Sequence, residues 1–182
     1  VEDFLPERMA LELKSVEDVP VSPEREITFD ATGRYLYGAP ASGNRLQGQM
    51  FLRPAREAVA KLPGYEFGSI LETNLSRSLD EFDLKLDEEG LTSVTVPSIW
   101  KESKSPMKVI IQASLMESGG RPVTRRAEQA IWPADVMPGI RPLFSKKETY
   151  DYKTNSYTPQ FMVDSDSLAG FDIVYADAKG NK

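Results

Sequence analysis

Apolar and polar residues alternate with a period of two through most of the chain, which predicts β-strands. Successive side chains of a strand point to opposite faces, so the apolar set of each run is expected to face a core. The clearest runs have their apolar positions at Met9, Leu11 and Leu13; Ile27, Phe29 and Ala31; Leu46, Met50 and Leu52; Phe82, Leu84 and Leu86; and Val109, Ile111, Ala113 and Leu115. The pattern predicts an all-β chain.

Two segments predict β-hairpins. Residues 82–96 hold two alternating runs around Glu89-Gly90, a turn signal. Residues 107–131 hold two longer runs around a turn at 118–122 that contains glycine and proline. Six or seven strands separated by turns, without a helix of ordinary length, predict an antiparallel β-sandwich.

The chain is expected to be organised around residues 33–52, which predict a strand, a loop and a second strand. The residues expected to shape the loop are Tyr35, Tyr37, Gly38, Pro40 and Gly43. The two tyrosines lie two residues apart and therefore share a face, glycine permits a positive φ, and proline removes a donor from the sheet. The stretch predicts a β-hairpin or a corner.

A domain boundary is expected where proline and glycine cluster after Trp132. Residues 1–133 then form one β-sandwich domain, and residues 134–182 begin a second small β domain. The forty-odd residues of the second segment are too few for an independent core, so either the second domain is cut short or its strands complete the first domain. The missing initiator methionine favours a fragment of a longer protein.

Composition limits the kinds of functional site that the chain can contain. The chain is 40% hydrophobic and 27% charged, as is typical of a soluble globular protein, and its apolar runs are too short to span a membrane. It contains no Cys and no His, which excludes thiol and histidine nucleophilic dyads, disulfides and the common zinc sites within this chain. A net charge of −6 argues against a nucleic-acid surface.

Three polar groupings are candidate sites. Asp83 and Asp87 suit a glycosidase acid pair, but their place on the polar face of a strand favours a solvated surface. Asp164, Asp166 and Asp172 lack the glycine and terminal glutamate of an EF-hand loop, so a plain loop is favoured over a calcium site. The basic residues of 101–108 and 121–126 are typical of edge protection. We therefore predict no cofactor, no metal and no enzymatic activity.

Two motifs carry a family resemblance. Tyr-Leu-Tyr-Gly-Ala-Pro-Ala-Ser-Gly at 35–43 resembles the Tyr-x-Tyr-Gly-x-Pro-x-x-Gly signature of a macroglobulin-like domain in α2-macroglobulins. Val1 to Arg8, which contains Phe4, Leu5 and Pro6, resembles the inter-domain junction that introduces this domain in bacterial members. The resemblance implies an Ig-like or fibronectin-III-like sandwich of about seven strands, with residues 1–7 as the junction.

The same resemblance implies a function. The chain would be a non-catalytic framework segment of a bacterial α2-macroglobulin, a protease inhibitor of the periplasm or cell envelope, upstream of the bait and thioester. Its partners would be neighbouring domains of the same polypeptide and, through the whole protein, attacking proteases; no nucleic acid is expected. The fragment would be monomeric, and a lipid anchor of the parent to the inner membrane is compatible with this picture. The alternative is an independent Ig-like adhesin or carbohydrate-binding module.

Overall fold

A computed structural model describes residues 7–117, 121–144, 146–152, 155–161, 166 and 168–182. These residues contain twelve β-strands and no helix, in agreement with the all-β prediction. In chain order the strands are β1 (Met9–Ser15), β2 (Ile27–Tyr35), β3 (Arg45–Pro54), β4 (Glu66–Phe67), β5 (Arg77–Lys85), β6 (Leu91–Val96), β7 (Met107–Met116), β8 (Val123–Ile131), β9 (Met137–Pro142), β10 (Lys146–Asp151), β11 (Ser156–Phe161) and β12 (Phe171–Ala176). Within this part of the chain, a helix of the length and apolarity that a bilayer requires is not found.

The first of two compact units comprises the residues up to Arg56 together with Ser69–Ala134. Its seven strands form two sheets, in the orders β1–β2–β6 and β5–β3–β7–β8, and all the paired strands run antiparallel. This is the antiparallel sandwich of about seven strands that the alternation predicts.

The apolar positions of the alternating strands form the core of this unit. One cluster of buried residues includes Phe29, Leu52 and Ile111, and a second includes Met9 and Leu115. Burying side chains of this size contributes about 1.5–3 kcal/mol each, so these two clusters are the main source of stability in the unit.

The predicted hairpin over residues 82–96 is wrong. Strands β5 and β6 are consecutive but lie in different sheets, because β5 pairs with β3 and β6 pairs with β2. The connection between them, residues 86–90 (the crossing), begins at the buried Leu86. Alternation identified both strands, but it contains no information about which strand each one pairs with.

The stretch 33–52 forms a corner. Strand β2 ends at Tyr35 and β3 begins at Arg45 in the other sheet, so residues 36–44 (the corner) pass between the sheets. Tyr37 therefore lies beyond the strand on which it was predicted. The predicted hairpin over 107–131 is confirmed, since β7 and β8 pair with each other.

The second unit comprises Glu57–Gly68 and Asp135–Lys182. Three of its strands form a sheet in the order β12–β9–β4, and β10 and β11 form a separate antiparallel pair. The short strand β4 pairs antiparallel with β9, which is distant from it along the chain. The division into residues 1–133 and 134–182 as domains stays a prediction.

Phe29→Ala is expected to lower the free energy of unfolding of the first unit by about 3–5 kcal/mol, because it leaves a cavity where a fully buried ring lay. Urea denaturation followed by tryptophan fluorescence reports this unit, which holds both Trp100 and Trp132. The control Thr28→Ala removes only an exposed hydroxyl contact with Thr95, and an equal loss in the two variants would contradict the assignment of the core.

Candidate functional site

The corner and the crossing are joined by backbone hydrogen bonds. The N–H of Gly33 donates to the carbonyl oxygen of Gly90 at 2.8 Å, and the N–H of Gly43 donates to that of Leu86 at 3.0 Å. The N–H of Leu86 in turn donates to the carbonyl oxygen of Asn44 at 3.0 Å. The corner and the crossing, two of the three connections between the sheets, are therefore fixed to each other through backbone groups.

Two glycines allow this approach. A Cβ added to Gly90 would lie 2.5 Å from the carbonyl oxygen of Gly33, and its φ is +79°. A Cβ added to Gly33 would lie 2.5 Å from Cδ1 of Leu86. No other residue type fits either position without displacing its neighbours, and at Gly90 the backbone conformation is also unfavourable for an L side chain.

The predicted corner residues all lie at this place. Gly38 and Gly43 have φ values of +99° and +70°, which is the freedom expected of them, and the space around both is open. Pro40 forms an isolated antiparallel bridge with Arg34, and its Cβ lies 3.2 Å from where a Cβ of Gly90 would be. Their functional role stays a prediction.

The two predicted tyrosines stack although only one is in a strand. The rings of Tyr35 and Tyr37 lie 5.2 Å apart at an interplanar angle of 15°. Asn44 donates to the Tyr35 hydroxyl at 3.2 Å, which holds the first ring, whereas Tyr37 is 79% exposed. The stack presents an exposed aromatic ring at the corner.

The predicted junction residues Phe4, Leu5 and Pro6 lie outside the described residues. The nearest described contact is at Arg8, whose carbonyl oxygen accepts from the N–H of Leu36 at 2.9 Å. The start of the described chain is thus tied to the corner, and the role assigned to the junction stays a prediction.

Sequence reasoning missed the residues that meet the corner from elsewhere. These residues are Gly33, Leu86 and Gly90, which lie outside residues 36–44 and contact the corner through backbone atoms. Gly90 was read only as a hairpin turn and Leu86 only as a strand residue. The sequence feature that marks the crossing as a tight turn is Asp87. Its carboxylate accepts hydrogen bonds from the N–H groups of Glu89 and Leu91.

The candidate acid pair has other partners. Asp83 accepts a hydrogen bond from Nε of Arg45 at 2.6 Å, and this contact holds the pKa of Asp83 below its ordinary value. Asp87 accepts backbone N–H groups in the crossing. Neither carboxylate is arranged with the other around a cleft, so the geometry supports structural roles for both.

A concavity of about 670 Å³ lies on the outer face of the sheet β5–β3–β7–β8. Amide, carboxylate and hydroxyl side chains line it together with the apolar residues Phe82, Met116 and Pro122. Two polar pairs bond to each other, Gln49 to Glu81 at 2.9 Å and Gln47 to Asp83 at 3.4 Å. These mutual bonds satisfy part of the polar surface without a ligand.

A buried polar cluster anchors two loops at one end of the first unit. Ser105 is fully buried and donates to the Glu72 carboxylate at 2.5 Å, while the N–H of Ser69 donates to its oxygen at 2.9 Å. The N–H of Lys104 also donates to Glu72, at 2.9 Å. Burial opposes ionisation of Glu72, but the hydrogen bonds from Ser105 and Lys104 prevail and lower its pKa.

The second unit has its own polar cluster. The Asp172 carboxylate accepts hydrogen bonds from the Tyr65 hydroxyl and from Nη2 of Arg141 at 2.9 Å, which lower the pKa of Asp172. The Arg141 guanidinium lies 4.6 Å from the centroid of the Tyr65 ring. Asp172 thus links β12 to β9 and to residues 57–68. Of the aspartates considered with Asp172 for a calcium site, Asp164 lies outside the described residues, and the described part contains no metal-binding group of carboxylates.

The first unit is an antiparallel β-sandwich of seven strands, the fold class of a macroglobulin-like domain. Residues 7–133 match the family described as Bacterial Alpha-2-macroglobulin MG5 domain, and the chain belongs to this family. The resemblance carried by residues 35–43 is therefore confirmed.

The similar proteins are much longer than this chain. It is 62% identical over 182 residues to Alpha-2-macroglobulin of Escherichia coli (strain K12), covering 100% of this chain and 11% of that protein. The crystal structure of trypsin-activated alpha-2-macroglobulin from Escherichia coli is similar with a TM-score of 0.91 and 62% identity, over 98% of this chain and 12% of that one. The crystal structure of Salmonella alpha-2-macroglobulin reacted with methylamine is similar with a TM-score of 0.90 and 61% identity, over 100% of this chain and 12% of that chain. The chain thus spans about a tenth of the length of these relatives.

Gly90→Ala is expected to destabilise the first unit by more than the matched change Gly38→Ala. Both glycines have a positive φ, which costs an L residue about 1–2 kcal/mol, but only Gly90 faces a carbonyl oxygen within 2.5 Å of the new Cβ. Urea denaturation of both variants measures the difference. Equal losses would show that the contact between the corner and the crossing contributes nothing beyond backbone strain.

Glu72→Gln is expected to lower the free energy of unfolding by about 1–2 kcal/mol at neutral pH, because it removes hydrogen bonds to a charged acceptor. The folded-state pKa of Glu72 is lowered, so its stabilisation is present above the ordinary pKa of 4.5 and is lost as the pH falls through the folded value. Urea denaturation across this range should show the two proteins converging in acid. Glu88→Gln, an exposed carboxylate without a hydrogen-bond partner among the described residues, is the control and should not reproduce this convergence.

Proposed function

We propose that the chain is a structural framework segment of a bacterial alpha-2-macroglobulin, a broad-spectrum inhibitor that traps attacking proteases after its bait region is cleaved. The segment is non-catalytic and carries neither the bait nor the thioester, whose chemistry requires a cysteine that this sequence lacks. Family membership and the 62% identity to the Escherichia coli protein support the assignment.

The observation that carries the proposal is an apolar sheet face in the second unit. Phe171, Ile173 and Tyr175 alternate along β12 and are 51%, 64% and 65% exposed. Ile140 of β9, directly opposite Ile173, is 45% exposed. An array of large apolar side chains of this extent marks a surface that another part of a protein covers.

The opposite face of the same sheet is also apolar. Val174, Ala176 and Met137 point to it and are buried. A sheet that is apolar on both faces is typical of one covered on both faces. We infer that further strands of the same polypeptide cover the face of Phe171, Ile173 and Tyr175 and complete a second macroglobulin-like domain that begins near residue 134.

A framework segment works through such covered faces. When a protease cuts the bait, the domains of the inhibitor rearrange, and each domain transmits the displacement through its contacts with its neighbours. The proposed partners are therefore neighbouring domains and, through the whole inhibitor, attacking proteases. We place the protein in the periplasm, with anchoring of the parent to the inner membrane as part of the same proposal.

The polar concavity on the sheet β5–β3–β7–β8 favours one second candidate. Its amide and carboxylate side chains are the groups that a carbohydrate-binding module uses to bind sugar hydroxyls. In that case the chain would act as an independent Ig-like binding module.

The parent inhibitor carrying Ile173→Asp is expected to trap less trypsin than the unmodified parent, because a carboxylate in a covered apolar face disrupts domain packing. Trapped trypsin should lose activity on casein and keep activity on a small chromogenic peptide, so the ratio of the two activities measures trapping. The matched control is Val16→Asp, at a residue that is 53% exposed in the first unit and outside this face.

Two outcomes would contradict the proposal. Undiminished trapping by the Ile173→Asp parent would remove the apolar face from the mechanism. Inhibition of trypsin by the isolated 182-residue chain, or its saturable binding to saccharides on a glycan array, would favour an independent module.

A further inference from the structure

Residues 57–68 (the strap) lie in the chain between strands β3 and β5 of the first unit, but they belong to the second unit. The chain therefore leaves the first unit after Arg56, returns to it at Ser69 and leaves it again after Ala134. Two units that simply follow each other along a chain share only one connection. The strap adds two more.

The strap supplies most of the buried side chains of the second unit. Among the described residues of this unit, the buried hydrophobic ones are Val59, Leu62, Tyr65 and Phe67 of the strap and Met137, Val174 and Ala176 of β9 and β12. The ring of Phe67 is fully buried and lies where a Cβ of Gly139 would be, only 2.6 Å from that position. Without the strap, the remaining three residues are too few to form a core.

The strap contacts both of the longer strands of the second unit. Its strand β4 pairs with β9, with Phe67 opposite Gly139. The Tyr65 hydroxyl donates to the carboxylate of Asp172 in β12, and the Arg141 guanidinium of β9 lies 4.6 Å from the centroid of the Tyr65 ring. Strand pairing, packing and a hydrogen bond therefore all hold the strap in this unit.

Both ends of the strap are held in the first unit. Arg56, which precedes the strap, donates from Nη2 to the carbonyl oxygen of Ser69, which follows it, at 2.7 Å, and to that of Glu72 at 3.1 Å. The N–H of Ser69 donates to the hydroxyl oxygen of the buried Ser105, which itself donates to the Glu72 carboxylate. These four residues (the clamp) close the loop at its base, and a loop whose ends are already joined loses less conformational entropy when it is ordered.

We propose that the strap couples the stability of the second unit to the first, because the clamp fixes its ends and its buried side chains complete the core of the second unit. The second unit then depends on clamp residues that belong to the first unit. In an inhibitor whose domains rearrange, a displacement of the second domain is transmitted through the strap to β3 and β5. This consequence rests on the proposed function, whereas the coupling does not.

Amide hydrogen exchange of the 182-residue chain, followed by NMR, measures the stability of each unit separately. Phe67→Ala is expected to accelerate exchange in β9 and β12 at least about tenfold, because it leaves a cavity in the core of the second unit. Exchange in β7 and β8 of the first unit should stay unchanged. Phe171→Ala is the matched control: it removes a ring that is 51% exposed in the same unit and should accelerate exchange in β9 less than about threefold.

Arg56→Ala tests the clamp. Arg56 belongs to the first unit, so faster exchange in β9 and β12 would report coupling through the strap. We expect an acceleration of at least about threefold, because the ends of the strap gain conformational freedom when the clamp opens. The matched control is Arg53→Ala. Nη1 of Arg53 also donates to two backbone carbonyl oxygens, those of Leu52 and Arg77 at 2.9 and 3.1 Å, but it does not join the ends of the strap, so exchange in β9 and β12 should not change.

Unchanged exchange in β9 and β12 of the Phe67→Ala chain would overturn the assignment of the strap to the core of the second unit. Equal effects of Arg56→Ala and Arg53→Ala on these strands would overturn the coupling. If Phe67→Ala does not fold, Tyr65→Phe removes only the hydroxyl that donates to Asp172 and should accelerate exchange in β12 about threefold; no acceleration would overturn the same assignment. The trypsin-trapping test of the parent is a separate measurement, so failure of the coupling and failure of the proposed function are distinguishable.

Discussion

The backbones of Gly33 and Gly90 lie so close that a Cβ on Gly90 would be 2.5 Å from the carbonyl oxygen of Gly33, and the contact between the corner and the crossing depends on this approach. The chain passes between the sheets at the corner and again at the crossing, and backbone hydrogen bonds hold the two passages together. These bonds join backbone N–H and carbonyl groups. They can form because neither glycine carries a Cβ that would keep the two segments apart. Ala41 and Leu86 are both buried next to Gly33 and belong to the second core cluster.

The contributions to stability differ widely in size. A fully buried Phe, Leu or Ile contributes about 1.5–3 kcal/mol, whereas an exposed ion pair such as Arg45 with Asp83 contributes about 0–1 kcal/mol. The polar outer face of the sheet β5–β3–β7–β8 therefore adds little to folding. The cluster around Ser105 and Glu72 is different, because the Ser105 hydroxyl is fully buried and fixes the positions of two loops.

One feature of the second unit is not explained by the folding of that unit alone. It is the exposed apolar face of β12, formed by Phe171, Ile173 and Tyr175. This face is explained if, as proposed, another part of a longer polypeptide covers it. Exposed apolar surface is then expected of a segment that packs against neighbouring domains.

The sequence by itself determined where the strands of the first unit lie, which of their side chains are buried, that Gly38 and Gly43 need a positive φ, and which family the chain belongs to. These properties are local: alternation follows from strand geometry, and a left-handed backbone follows from glycine at one position. Only the tertiary structure decided that β5 and β6 belong to different sheets, that Gly33 meets Gly90, and that β4 pairs with β9. Each of these is a contact between residues distant along the chain, and the period of two is the same whichever partner a strand selects.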